Sequence, residues 1–244
     1  MFKNRVAVVV GGNGGLGFEI SRQFLNNGCK VISLYAKNDR RAKNACNELC
    51  KLGSFETHKV NIADEKQVKA FFDTLTQVDF LINVAGISIE RPFEDLSMEE
   101  IKTVFDTNLF GKMNTSKHAL PLLKKSTCPR IVSIASRFAE KPFFDGMMGY
   151  SCAESATVMM SKVLALEYAK YNIKVNTVSA SLTLTDHTRE ICTKEEIETI
   201  SKKNPSGRLG LPEDVANLVL FLCKEESNYI TGENINVNGG ILLC

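Results

Sequence analysis

Directly after the aliphatic run Val6–Val10 the chain reads Gly11-Gly12-Asn13-Gly14-Gly15-Leu16-Gly17. A turn without side chains lets the backbone approach a pyrophosphate. The helix that opens behind it supplies N–H donors and the positive end of a dipole. Any Cβ in such a turn would hold the phosphate away. Position carries as much of the signal as composition, because these glycines follow a strand pattern and open a helical one. The second apolar run ends Leu34-Tyr35-Ala36, with no acid. An acid there would bind a ribose diol and repel a 2′-phosphate. Lys37, Arg40 and Arg41 follow instead, and such cations suit a phosphate. The expected cofactor is NADP(H) in preference to NAD(H). No metal is expected: the eight cysteines include no C-x-x-C pair, and the three histidines lie far apart, unlike the spacing of zinc ligands.

These residues need a frame. Short apolar runs (Val6–Val10, Lys30–Tyr35, Thr57–Ile62, Phe80–Ala85, Arg130–Ala135, Lys174–Ser179, Asn234–Val237) alternate with segments of helical period. The latter are Leu16–Asn26, Asp39–Lys51, Glu65–Leu75, Met98–Lys125, Tyr150–Tyr171 and Pro212–Cys223, with apolar residues three and four apart. Strand and helix in strict alternation predict an α/β single-domain Rossmann fold, a doubly wound parallel sheet of seven strands with helices on both faces. Ser97 with Glu100 reads as a capping box, and Pro212 with Glu213 and Asp214 as a helix start. The 244 residues suit one domain, 1–244. Residues 182–210 are polar, with a short helical pattern at Glu195–Lys202, and read as a substrate or lid loop.

Composition narrows the partners. Hydrophobic residues make up 44% and charged residues 24%, and the net charge is +2 without a basic stripe. That balance is globular and points to neither nucleic acid nor a membrane surface. The start of the chain has neither the length of a membrane span nor the layout of a secretory signal. With free thiols this places the protein in a reducing, cytoplasmic setting.

Further motifs follow in an order that resembles the short-chain dehydrogenase/reductase family, nearest to its β-ketoacyl-carrier-protein-reductase type. Gly11-x-x-x-Gly15-x-Gly17 resembles the cofactor loop, and Asn83-Val84-Ala85-Gly86 the N-N-A-G signature. Asn108 resembles the helix asparagine. Ile131–Ser136 resembles the strand that ends in a catalytic serine, and Tyr150 the catalytic tyrosine. Ile173–Asn176, Thr185, Gly232 and Asn238-Gly239-Gly240 resemble the later signatures. The resemblance spans essentially the whole chain. It implies cofactor contacts at Gly11, Asn13, Gly15, Leu16, Gly17, Ala36, Asn61, Ile62, Asn83, Ala85, Gly86 and Thr185. It also implies a catalytic set of Asn108, Ser136 and Tyr150 acting on a small carbonyl or alcohol substrate, in a homodimer or homotetramer built through residues 98–125 and 150–171.

The sequence departs from that pattern at one charged position. The family places lysine four residues after the tyrosine, and this chain has Glu154. Residues four apart share a helix face, so Glu154 takes the lysine's place in the catalytic set. An ammonium there would lower the phenol's pKa from about 10, whereas a carboxylate favours the protonated phenol. Glu154 is expected to accept hydrogen bonds from ribose hydroxyls, and neither Lys141 nor Lys162 is shown by the sequence to reach the site. Smaller departures are Val10, Val84, Asn61, Asn238 and Ala180-Ser181, and Gly14 stands where phosphate-selective relatives often carry arginine. The expectation is an NADP(H)-dependent oxidoreductase. The alternatives are a catalytically impaired scaffold or partner subunit, and a dehydration or epimerisation with Glu154 as base. On the oxidoreductase reading, Glu154→Lys should raise turnover.

Overall fold

The computed structural model describes residues 1–244. Seven strands form one parallel sheet: β1 (Val6–Val10), β2 (Lys30–Tyr35), β3 (Phe55–Lys59), β4 (Phe80–Asn83), β5 (Arg130–Ser136), β6 (Lys174–Ala180) and β7 (Asn234–Val237). Their order is β3-β2-β1-β4-β5-β6-β7, and each adjacent pair is parallel. Central strands covered on both faces read as continuous apolar runs; every residue of β5 is buried.

The helices are α1 (Gly15–Asn26), α2 (Asp39–Leu49), α3 (Glu65–Asp73), α4 (Met98–Phe105), α5 (Gly111–Leu123), α6 (Met148–Tyr168), α7 (Asp186–Ile191), α8 (Lys194–Lys203) and α9 (Pro212–Leu222). Side chains alternate across each strand and feed two separate cores. Ala7, Val9, Phe80, Ile82 and Val132 pack with Ile20 and Phe24 of α1, Leu49 of α2 and Val219 of α9. Val8, Val10, Leu81, Ile131 and Val175 pack with Val68 of α3, Leu122 and Leu123 of α5 and Ala165 of α6.

Caps match the chemistry of the chain. Ser97 and Glu100 form a capping box before α4, Pro212 opens α9, and Thr193 with Glu196 boxes α8. Most elements shift by one to three residues at one or both ends, and three of the differences have a clear physical reason. The third strand covers Phe55–Lys59 rather than Thr57–Ile62, because Asn61 folds into a turn in which its Oδ1 accepts from Ala63 N. The fourth ends at Asn83, since Val84 N and Ala85 N both donate to Val10 O and close the strand end. The long segment from Met98 is interrupted by a π-turn, Asp106–Phe110.

The order of strands reverses at β1, with β2 on one side and β4 on the other. In open parallel sheets that switch point, at the carboxyl ends of the strands, is where ligands bind. Gly11 follows β1 there and Ala85 follows β4.

Candidate active site

The glycine loop joins β1 to α1. Gly17, in the first turn of α1, packs directly on the Gly11 carbonyl, and a Cβ at Gly17 would overlap that oxygen. This contact draws the helix start down onto the loop. No side chain caps α1 and no acid occupies its first turn, so its amino-terminal N–H groups and dipole are available to an anion. Gly14 is extended, and a Cβ there would overlap the guanidinium of Arg41, which lies over the loop from the start of α2. An arginine from another element thus covers the position of Gly14. The cradle suits a pyrophosphate, and the guanidinium beside it suits a further phosphate.

The other expected cofactor residues converge on this mouth to different degrees. Asn13, Leu16 and Ala85 are half-buried, while Ala36, Asn61 and Gly86 are exposed. Asn61 uses its side chain to turn the chain into α3. Ile62 is buried against Gly111. Asn83 is buried and its Oδ1 accepts from Thr115 Oγ1 at 2.8 Å. Thr185 caps α7, and its methyl group lies over Gly15. Residues 182–210 therefore return across the glycine loop, with two helices, α7 and α8, where one short helical pattern was expected.

Ser136 ends β5, and its Oγ accepts from Phe138 N at 3.3 Å. Tyr150 lies in the first turn of α6, within hydrogen-bonding reach of Ser136. The Phe138 ring stands edge-on to Tyr150 at 6.1 Å and meets Phe143 and Phe144 at 5.4 and 5.2 Å. Arg137 stacks on Phe143, with its guanidinium 4.0 Å from the ring centre. The wall beside the phenol is therefore aromatic, with one cation. Burial pushes the Tyr150 phenol well above its ordinary range, and the Glu154 charge pushes the same way; Ser136 and Arg137 oppose them.

Asn108 sits in the π-turn between α4 and α5. Its Oδ1 accepts from Ile87 N at 2.9 Å, and its Nδ2 donates to Ile87 O at 3.0 Å and to Glu154 Oε1 at 2.8 Å. Its main-chain carbonyl, displaced by the wide turn, accepts from Thr157 Oγ1 of α6 at 3.1 Å. Such turns recur where a helix must re-aim a group.

Glu154 corrects three expectations. The residue is 2% exposed, with one oxygen taken by Asn108 and the other 3.5 Å from Lys112 Nζ. Its oxygens are turned inward, so they are not offered to a ribose, and a buried, engaged carboxylate has no access to act as a base on substrate. The third correction concerns charge. Lys112, itself 1% exposed, donates to Ile134 O at 2.8 Å and stands opposite Glu154. Burial pulls the Lys112 ammonium below its usual range, and Glu154 opposes that shift. Lys141 is instead bonded to the Cys244 carbonyl, and Lys162 is exposed. Sequence reasoning missed Lys112 although a signal was present: it shares the face of α5 that carries Thr115, Ser116, Ala119, Leu122 and Leu123, all buried.

A family model described as "Enoyl-(Acyl carrier protein) reductase" matches residues 10–242. The 3-oxoacyl-[acyl-carrier-protein] reductase of Aquifex aeolicus is 34% identical over 249 residues, covering 98% of each chain. The acetoacetyl-CoA reductase of Cupriavidus necator is 33% identical over 242 residues, covering 97% of this chain and 98% of its own. Among solved structures, the ligand-free aldohexose dehydrogenase of Thermoplasma acidophilum superposes with a TM-score of 0.90 at 28% identity, over 100% of this chain and 96% of that one.

Proposed function

The chain belongs to the short-chain dehydrogenase/reductase family and is an oxidoreductase using a nicotinamide cofactor, and from that premise we propose that it reduces the carbonyl of a 3-oxoacyl-type substrate with NADP(H). One observation carries the reading: Ser136, at the carboxyl end of β5, and Tyr150, in the first turn of α6, lie at the same end of the parallel sheet as the glycine cradle. When bound, the nicotinamide supplies a hydride to the carbonyl carbon. Ser136 Oγ orients the carbonyl oxygen, and the Tyr150 hydroxyl donates the proton that the resulting alkoxide needs. Asn108 braces the helix turn behind them.

Direction follows from environment. A phenol pushed above its ordinary range by burial and by Glu154 stays protonated, which suits a general acid and disfavours the tyrosinate that alcohol oxidation would need. Arg41 over the glycine loop supports the 2′-phosphate of NADP(H). The aromatic wall with Arg137 suits an acyl group that carries an anion nearby. The scaffold alternative drew on Glu154 as the mark of lost chemistry; similarity to reductases over nearly the whole chain favours the oxidoreductase reading instead.

Assembly belongs to the same reading. Met159, Val163 and Leu166 expose one apolar edge of α6, and Phe110 and Met113 expose another beside the π-turn and on α5. We assign these faces to a homodimer or homotetramer interface.

The deciding experiment is a fluorescence titration with NADPH and NADH, followed by absorbance assays of acetoacetyl-CoA reduction. Saturable binding, tighter for NADPH, with turnover that vanishes in Tyr150→Phe, is the expected result. Folded protein that binds neither cofactor would overturn the proposal.

A further inference from the structure

We infer that Lys112 and Glu154 form a single positioning unit, a buried ion pair that tethers the Asn108 carboxamide to α6 and sets a negative rather than a positive charge behind the Tyr150 phenol. The assignment of Tyr150 as the acid rests on the reductase reading above; the pair itself rests on geometry. Neither charge is accessible to solvent, and a lone buried charge is strongly disfavoured. The only carboxylate facing Lys112 is Glu154 at 3.5 Å, and its remaining partner is the Ile134 carbonyl. Glu154 has Asn108 as its other partner. Each charge therefore needs the other.

The pair also ties elements together through Asn108. An amide side chain has one accepting and one donating end. Ile87 N and the Ile87 carbonyl set which end is which, and the donating end then reaches Glu154 Oε1 on α6. The pair links three elements at once: α5, which follows the Asn108 turn; β5, where Ile134 precedes Ser136 by two residues; and α6, which carries Tyr150. The charged and polar groups facing Tyr150 are Glu154 on its own helix, and Arg137 and Ser136 from the end of β5.

A consequence is that Glu154→Lys alone does not repair the site. It sets two ammonium groups within a few ångströms in a dry interior. Four variants test the pair: Lys112→Met, Glu154→Gln, the double K112M/E154Q, and the double K112M/E154K, with E154K as reference. We expect Lys112→Met to lower the melting temperature and, in its folded fraction, to lower kcat by about tenfold without changing NADPH affinity. The K112M/E154Q double should recover most of both losses, because the substituted amide still accepts from Asn108 and leaves no charge unpaired. Glu154→Gln should shift the pH profiles of reduction and of oxidation to lower pH. K112M/E154K should fold where E154K does not.

Tyrosinate absorbance of each protein minus that of its Y150F counterpart reads the phenol without any substrate. It should titrate lower in K112M/E154Q than in wild type. Wild-type kcat and pH profile in Lys112→Met, or E154K as stable as K112M/E154K, would overturn the assignment. Unaltered phenol titration in K112M/E154Q would do the same. Melting and titration report on the pair even if no carbonyl compound is reduced, so failure of the reductase reading and failure of the pair give different results.

Discussion

Tyr150 is the residue on which the pH dependence of the reaction turns. Its phenol is held above the ordinary range by burial first and by Glu154 second. The sign of the pH dependence follows. Reduction needs the protonated form, so its rate should stay level through the range where an ordinary phenol, near pH 10, begins to lose its proton. Oxidation needs tyrosinate and should climb only at higher pH. Steady-state rates in both directions between neutral pH and about pH 10 check this; a reduction rate that falls through pH 8 would contradict it. Tyr150→Phe should cost about a hundredfold to ten-thousandfold in kcat with NADPH binding retained. Arg41 is the second telling residue. Losing one charge-assisted contact weakens binding by about 1.5–3 kcal/mol, so Arg41→Ala should weaken NADPH by about tenfold to a hundredfold and leave NADH unchanged. Paired titrations of wild type and variant measure the difference.

Elements place these residues, and they differ in how openly the chain declares them. β1 was legible because a strand buried on both faces is apolar throughout, β5 and β6 through their Val and Ile content and motif order, and the glycine loop because nothing but glycine serves where Gly17 meets the Gly11 carbonyl. Gly17→Ala should therefore lift α1 off the loop and abolish saturable NADPH binding, with a lower melting temperature as the accompanying sign; titration and thermal unfolding read both. Ser136 and Tyr150 were legible through motif order. The π-turn at Asp106–Phe110 was not, since helical periodicity persists across it and only the displaced Asn108 carbonyl marks it. Lys112 escaped for a related reason. A lysine in an amphipathic stretch reads as solvated, and it takes the phase of Thr115, Ala119 and Leu122 to show that its stem enters the core. Asp186–Ile191 was missed because a helix this short carries too few apolar positions to show a period.

At the scale of the whole molecule, a two-layered core holds one rigid sheet, and the apolar surface left over lies on the outer helices. Leu166 is 81% exposed and Met159 59%, with Val163 between them on α6. If that edge joins copies of the chain, Leu166→Glu should shift the mass measured by light scattering to a smaller species while circular dichroism stays unchanged. An unaltered mass would place the interface elsewhere.

The two walls of the mouth are not equally durable. Ser136 terminates a strand that is buried along its length and hydrogen-bonded on both sides, whereas Thr185 belongs to a segment of short helices, closed on itself at its base by the bridge of Thr183 to Gly210 and tied beyond β7 by Ser206 N to Gly239 O and Asn204 Nδ2 to Asn238 O. Amide hydrogens in the first wall should exchange with solvent only when the whole fold opens, and those in the second through local excursions lower in free energy. The serine's position would then be renewed only when the protein itself refolds, while the strap across the glycine loop would open many times within one lifetime of the native state.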